Sequence, residues 1–407
     1  MSKAARAPVV TLKVHLGRWT HPFVYRKMVA EAPDGLSPGE VVEARDRSGR
    51  FLARGFFNPT SQIALRILTR DEKTPINYDF FRARLRDAAA LRVETLGLDR
   101  VTDAYRVVHS EADGLPGVVV DRYGPVAVAE IFSAGFNLHR DSVARAVEEF
   151  LPVRCVLFRA DERVETAEGF KLGGAAPMGA PKSVTVVENG VRFKVDLETG
   201  HKTGFFADQR DTRLYLSNLC HDKIVLDAFC YSGGFGLYAK KLGRARYVVA
   251  VDLDEKALAV ARENAAMNRA EIDFVHADVY RYLRELREGR NEFDVVVLDP
   301  AKMTARREEV DQAVRKYADL NRLAMRRVRN GGLLLTCSCT GLVGEDAFLS
   351  AVKRAAAETD RELQILRVAG AGPDHPVSPD VPESAYLKSV LARVRYVPPK
   401  RRPEAGP

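Results

Sequence analysis

Tryptophan occurs once in these 407 residues, methionine six times and cysteine five times. Five cysteines in a chain of this length make no disulfide framework, and the odd number points to reduced thiols in a reducing compartment. No apolar run approaches the roughly 18 residues needed to span a bilayer, so no membrane association is expected. The opening Met1-Ser2-Lys3-Ala4-Ala5-Arg6 carries charge with no apolar stretch behind it, so the expected location is cytoplasmic rather than secreted. Beside Cys337 and Cys339 no second Cys or His pair has zinc-ligand spacing, and no metal is expected. Neither charge sign dominates: Lys plus Arg is 63 and Asp plus Glu is 55, a net +8. That balance fits a polyanionic partner without demanding one. With 46% hydrophobic and 29% charged residues, the chain can bury real cores and is long enough for two or three domains.

Short apolar runs broken by turn residues fill the stretch from Val10 to about Thr69, among them Val41-Val42-Glu43-Ala44, Phe51-Leu52-Ala53 and Ile63 to Ile67. Residues 10–72 therefore read as a small β barrel or sandwich. Gly17 to Arg26 mixes aromatic with basic residues, as an RNA-contacting surface would. On composition alone a structural aromatic cluster with solvated arginines is the favoured reading. Tyr78 to Leu96 has the period of an amphipathic helix, with Phe81, Leu85, Ala88 and Leu91 on one face. A meander follows through Val118–Asp121 and Val126–Phe132, then a helix at about Leu138–Phe150 and a strand at Cys155–Phe158. Residues 75–195 read as a second, α+β unit, with a Gly/Pro/Ala-rich loop at Gly173–Pro181.

From Ile224 onward strands alternate with helices. Ile224–Asp227, Tyr247–Asp252, Asp273–Asp278, Phe293–Asp299 and Leu333–Cys337 are the strands. Leu237–Leu242, Glu255–Asn268, Tyr280–Glu288 and Val310–Val328 are the helices, with Gly331-Gly332 ahead of the last strand. Residues 196–397 thus read as a doubly wound parallel α/β sheet, and residues 398–407 as a disordered basic tail.

Ligands of such sheets bind beyond the carboxyl ends of the strands, and four of these strands end in an acid: Asp227, Asp252, Asp278 and Asp299. Glycines in the first turn, Tyr231-Ser232-Gly233-Gly234-Phe235-Gly236, let a ligand approach the backbone. Their spacing is not G-x-G-x-x-G, which counts against a dinucleotide. Asp252 can accept from both ribose hydroxyls and Asp278 from an adenine amino group, while amides near Gly233 take a carboxylate. A nucleoside with an amino-acid tail, S-adenosylmethionine, suits this set. A single strand-end Asp is more often a helix N-cap, but the ordered set favours the ligand. Asp299-Pro300 lies where a substrate base would be held. In Thr336-Cys337-Ser338-Cys339-Thr340-Gly341, alternation sets both cysteines on one side, with Cys339 further out. Methylation at a pyrimidine C5 needs a Cys to add at C6. Both cysteines as buried small hydrophobes is the other reading, and for a bare Cys-x-Cys the commoner one.

These residues resemble the large-subunit ribosomal RNA cytosine-C5 methyltransferases that carry an N-terminal PUA domain, over about Leu12 to Val394. The matching stretches are His21–Tyr25, Leu52–Gly55, Ser110–Gly117, Gly200–Asp211, Tyr231–Phe235, Thr336–Gly341 and Asp374–Val377. The resemblance implies a PUA barrel that binds RNA, a central α+β domain and a class I, Rossmann-like methyltransferase domain. It further implies that Asp208, Gln209 and Arg210 lie over the methionine part of S-adenosylmethionine and that Cys339 is the nucleophile. Cys337 stands where the family often has an aromatic residue. The chain reads Asp299-Pro300-Ala301-Lys302-Met303 where the family usually has Asp-Pro-Pro-Lys-Phe. That change loosens the turn and removes a flat surface for a base.

The expected activity is transfer of methyl from S-adenosylmethionine to cytosine C5 in large-subunit ribosomal RNA, with Asp299 and Cys339 catalytic. The cofactor would contact Asp208, Gln209, Arg210, Asp227, Tyr231, Ser232, Gly233, Gly234, Asp252, Asp278 and Asp299. Methylation of a base nitrogen with Cys339 inert, and an RNA-binding assembly protein without catalysis, are the alternatives. Oligomeric state, homodimer included, is left open.

Overall fold

The computed structural model describes residues 7–13, 21–173, 179–198, 204–286 and 292–397. Two compact units divide the chain. One comprises residues 1–190, 195–208 and 373–384, and the other 191–194, 209–372 and 385–407.

The first unit holds two sheets with separate cores. Six strands pair in the order Phe23–Tyr25, Ile63–Thr69, Phe51–Phe57, Glu40–Arg45, Val9–Leu12 and Val29–Glu31, around Val10, Val42, Phe57 and Leu65. Of the mixed aromatic and basic stretch, residues 17–20 lie outside the described residues. In the remainder Arg26 donates to the Asn58 and Ser61 carbonyls and Arg66 stacks over Phe23 at 5.1 Å, while Tyr25 is exposed. The second sheet orders Cys155–Arg159, Val126–Ile131, Val118–Tyr123 and Ala104–His109. The helices Tyr78–Ala90 and Arg140–Phe150 share its core with Phe81, Leu85, Val120 and Val143. The expected helix to Leu96 changes character at Leu91, where five residues form a π turn. That turn carries Arg92, whose side chain is fully buried, into a bidentate pair with Asp113 at 2.6 and 2.9 Å. The same guanidinium donates to the Asp374 carbonyl at 2.7 Å. Two of the stretches that matched the family, Ser110–Gly117 and Asp374–Val377, therefore meet in a structural clasp.

The second unit is a seven-stranded sheet: β1 (Ile224–Ala228), β2 (Tyr247–Asp252), β3 (Asp273–His276), β4 (Phe293–Leu298), β5 (Val328–Ser338), β6 (Arg361–Ala369) and β7 (Lys388–Tyr396). Its order is β3-β2-β1-β4-β5-β7-β6. The first five run parallel and β7 is antiparallel to both neighbours. The helix Arg210–Ser217 precedes β1, and the helices that follow are α1 (Gly234–Lys241), α2 (Glu255–Asn268), α3 (Val279–Glu285), α4 (Val310–Met325) and α5 (Glu345–Ala357). Apolar runs such as Val295-Val296-Val297-Leu298 are buried on both faces. Val296 and Leu298 face a core with Tyr317 and Phe348, and Val295 and Val297 one with Phe235 and Val248. Such two-sided burial is what a parallel strand under helices requires.

Gly331-Gly332, expected ahead of the last parallel strand, lies within it. The helix ends at Met325 and β5 begins at Val328. Phe293 pairs with Val328 and Val295 with Leu333, so five residue steps on β5 meet two on β4. The glycines sit in that bulge, Gly331 at φ +79°, a conformation that costs glycine little.

Candidate functional site

The strand order reverses between β1 and β4, and the crevice beyond their carboxyl ends is where such sheets bind ligands. Asp227 lies one residue before the end of β1, fully buried, and accepts the Gly236 N–H at 2.7 Å. Burial, and next the charges of Asp299 and Asp252 acting against the Gly236 hydrogen bond, push its carboxyl up to about 7. Its other oxygen has no hydrogen-bond partner among the described residues. After β1 the backbone turns sharply through Phe229 at φ +64°, Tyr231 at +48° and Gly233 at +84°. Left-handed conformations at two aromatic residues are costly, and Asp252 holds the turn by accepting the Tyr231 N–H at 2.8 Å. Its second oxygen accepts the Asp254 N–H at 2.9 Å. Ser232 is buried, with its carbonyl taken by Asn264 of α2. A Cβ on Gly234 would come within 3.2 Å of the Arg213 side chain, which would have to give by a few tenths of an ångström.

Asp278 lies two residues beyond β3 and caps α3, accepting the Arg281 N–H at 2.8 Å. It is exposed, and one oxygen remains for a ligand. Asp299 follows β4 directly and accepts from Gln209 Nε2 at 3.1 Å. Gln209 Oε1 is buried without a hydrogen-bond partner among the described residues. Arg210 is buried beside Asp211, and Asp208, the last residue of its segment in the first unit, is buried as well. His201 and its neighbours 199–203 lie outside the described residues.

Cys337 lies within β5 and Cys339 just beyond its end. Cys337 is fully buried on β5 against Ser389 at 3.5 Å, and burial pushes its thiol well above the usual range. Cys339, one residue past the strand, is partly exposed, with Sγ 3.8 Å from the Pro300 carbonyl. Thr340 ties this loop to the one after β4: its Oγ1 accepts the Met303 N–H at 3.0 Å and meets the Tyr317 hydroxyl at 2.8 Å. An open cleft of ≈ 670 Å³ adjoins, lined by Phe229, Tyr280, Pro300, Lys302, Arg315 and Lys316 among others. Thr340, Tyr317 and Lys388 were not singled out in the sequence; the polar Thr340 beside Cys339 was the only local signal.

The donor set fits S-adenosylmethionine. Acids at the ends of β1, β2 and β4 and the cap of α3 face one strand edge around a glycine turn, with buried acceptor atoms of Asp227 and Gln209 still open. This fold and site define a class I S-adenosylmethionine-dependent methyltransferase. Residues 172–393 match the family described as S-adenosylmethionine-dependent methyltransferase, and residues 18–70 a PUA-like domain. Ribosomal RNA large subunit methyltransferase I of Photobacterium profundum is 42% identical, over 93% of this chain and 96% of that protein. The protein of that name from Aliivibrio fischeri is 39% identical over the same shares. The solved methyltransferase SMU.776, complexed with SAH, has the same fold: TM-score 0.79 at 22% identity, over 95% of this chain and 100% of that one. The chain belongs to the PUA-carrying ribosomal RNA large subunit methyltransferase I family. Among the described residues no helix is long and apolar enough to cross a membrane.

Proposed function

We propose that the protein methylates C5 of a cytosine in large-subunit ribosomal RNA, through a covalent adduct with Cys339. The observation that carries this reading is the place of Cys339, partly exposed beyond β5 and against Pro300 of the Asp299 loop. Asp252 and Asp278 would hold the ribose and adenine of S-adenosylmethionine. Asp227, Tyr231, Ser232, Gly233 and Gly234 would form the wall for its amino-acid part, with Gln209 and Arg210 over it. When bound, that molecule supplies an electrophilic methyl group on a sulfonium.

The base must leave its stack to reach this crevice. The Cys339 thiolate adds to C6, forming a C–S bond and moving the ring electron pair to C5, while the carboxyl of Asp299 in its protonated form donates a hydrogen bond to N3 and offsets the developing charge. C5 takes the methyl group. A base then removes the C5 proton, the electron pair returns to the ring and the C–S bond breaks, restoring the thiolate.

The exposed Lys302, Arg315 and Lys316 around the cleft favour a polyanion there, and the names of the relatives point to ribosomal RNA. In this reading residues 10–72 are the RNA-binding barrel, 75–195 a central domain, 196–397 the catalytic domain, and the location is cytoplasmic. The test is transfer from labelled S-adenosylmethionine to ribosomal RNA lacking the modification, with wild type and Cys339→Ala, followed by digestion to nucleosides. Labelled 5-methylcytosine from wild type alone is expected. Equal labelling of another nucleoside by both proteins would overturn the reading in favour of nitrogen methylation.

A further inference from the structure

Lys388 opens β7 opposite Ser338 in the antiparallel ladder. It is only 5% exposed, and its ammonium donates to the carbonyls of Thr340 at 2.8 Å and Tyr386 at 2.9 Å. Among the described residues no carboxylate pairs with it. Burying an ammonium without an anionic partner is expensive, so its position calls for a compensating charge.

The titratable groups facing it come from every neighbouring element. Tyr317 of α4 is pushed up to about 12 by burial and stays neutral. Glu345, at the start of α5, is exposed to water. Asp299, beyond β4, is engaged by Gln209. Cys337, on β5, is buried with its thiol pushed far up. Cys339 remains, between Ser338, which pairs with Lys388, and Thr340, whose carbonyl Lys388 binds. Burial lowers the pKa of Lys388, and the Cys339 side chain and, after it, the exposed Glu345 act against that.

We propose that Lys388 is a positioning residue for Cys339, anchoring its loop through the Thr340 carbonyl and supplying the buried cation that favours the thiolate. This rests on the reading of Cys339 as the nucleophile.

The experiment is the pH profile of iodoacetamide alkylation at Cys339 in the full-length protein, read by mass spectrometry of the Cys339 peptide. Wild type is compared with Lys388→Gln, which keeps two N–H donors without the charge, and Lys388→Arg, which keeps the charge. The wild-type midpoint should lie below the ordinary thiol value of about 8.5. Lys388→Gln should raise it by about one unit and lower kcat at pH 7 about tenfold with KM for S-adenosylmethionine unchanged, and Lys388→Arg should restore most of both. Coincident midpoints in wild type and Lys388→Gln would overturn the proposal. So would a wild-type midpoint at or above about 8.5, a measurement that needs no variant to fold. Full methyl transfer by Cys339→Ala would instead bring down the nucleophile reading, and the proposal with it, even where the midpoints separate.

Discussion

Asp227→Asn is a perturbation whose sign depends on pH. The carboxyl is fully buried and raised from 3.8 to about 7. Below pH 3.8 it is protonated in folded and unfolded chains alike, and its contribution to stability is fully present. As pH rises the unfolded chain ionises first, so the folded state binds more protons and loses stability until pH passes the folded value. Integrated between about pH 5 and pH 8, the loss is about 2 to 3 kcal/mol. Asparagine keeps an oxygen for the Gly236 N–H and has no such titration. The variant should therefore gain on wild type across that interval, the Tm difference growing by roughly 5–10 °C. Thermal denaturation of both proteins, in buffers of constant ionic strength at each pH, makes the comparison. Subtracting the curves removes the titrating groups that do not couple to Asp227. Parallel curves would refute the reasoning, because they would mean that Asp227 ionises in the folded protein as it does in water.

Cys339→Ser should abolish methyl transfer, since an alcohol does not add to the ring as a thiolate does, while the calorimetric Kd for S-adenosylmethionine stays within about threefold. Asp252→Asn should weaken that Kd about 10- to 100-fold, the worth of one or two charge-assisted hydrogen bonds including the one that holds Tyr231; an unchanged isotherm would remove Asp252 from the site. Gly233→Ala places a Cβ at φ +84° with only ordinary contact to Ala261 at 3.4 Å, so strain alone should cost about 1–2 kcal/mol, read as a lowered Tm. Arg92→Met strands Asp113 in the first unit and should cost about 3–5 kcal/mol in a denaturant titration.

What the sequence made legible was the part governed by local rules. Apolar runs ending in Asp227, Asp252 and Asp299 are visible because a parallel strand buried on both faces must be apolar until it reaches the crevice. Glu255–Asn268 came out with its observed limits because Asp254 caps it by accepting from Lys256 and Ala257. The rest depends on partners far away in the chain. Asp278 reads equally as cap and ligand, and the structure shows the capping bond without removing the free oxygen. The bulge at Gly331 exists only because Phe293 and Val295 set the register of β5, which no local pattern contains. The same holds for Lys388. Nothing around it distinguishes one lysine on a strand from another. Its place behind Cys339 follows from β7 entering antiparallel beside β5, a pairing that joins Ser338 to Lys388 across a long stretch of chain. Residues that act directly on a ligand thus carry a signature in their own neighbourhood, whereas those that tune a neighbour's charge are found only once the register is known. The Lys388→Gln alkylation profile is therefore a test of register-level inference as much as of one residue.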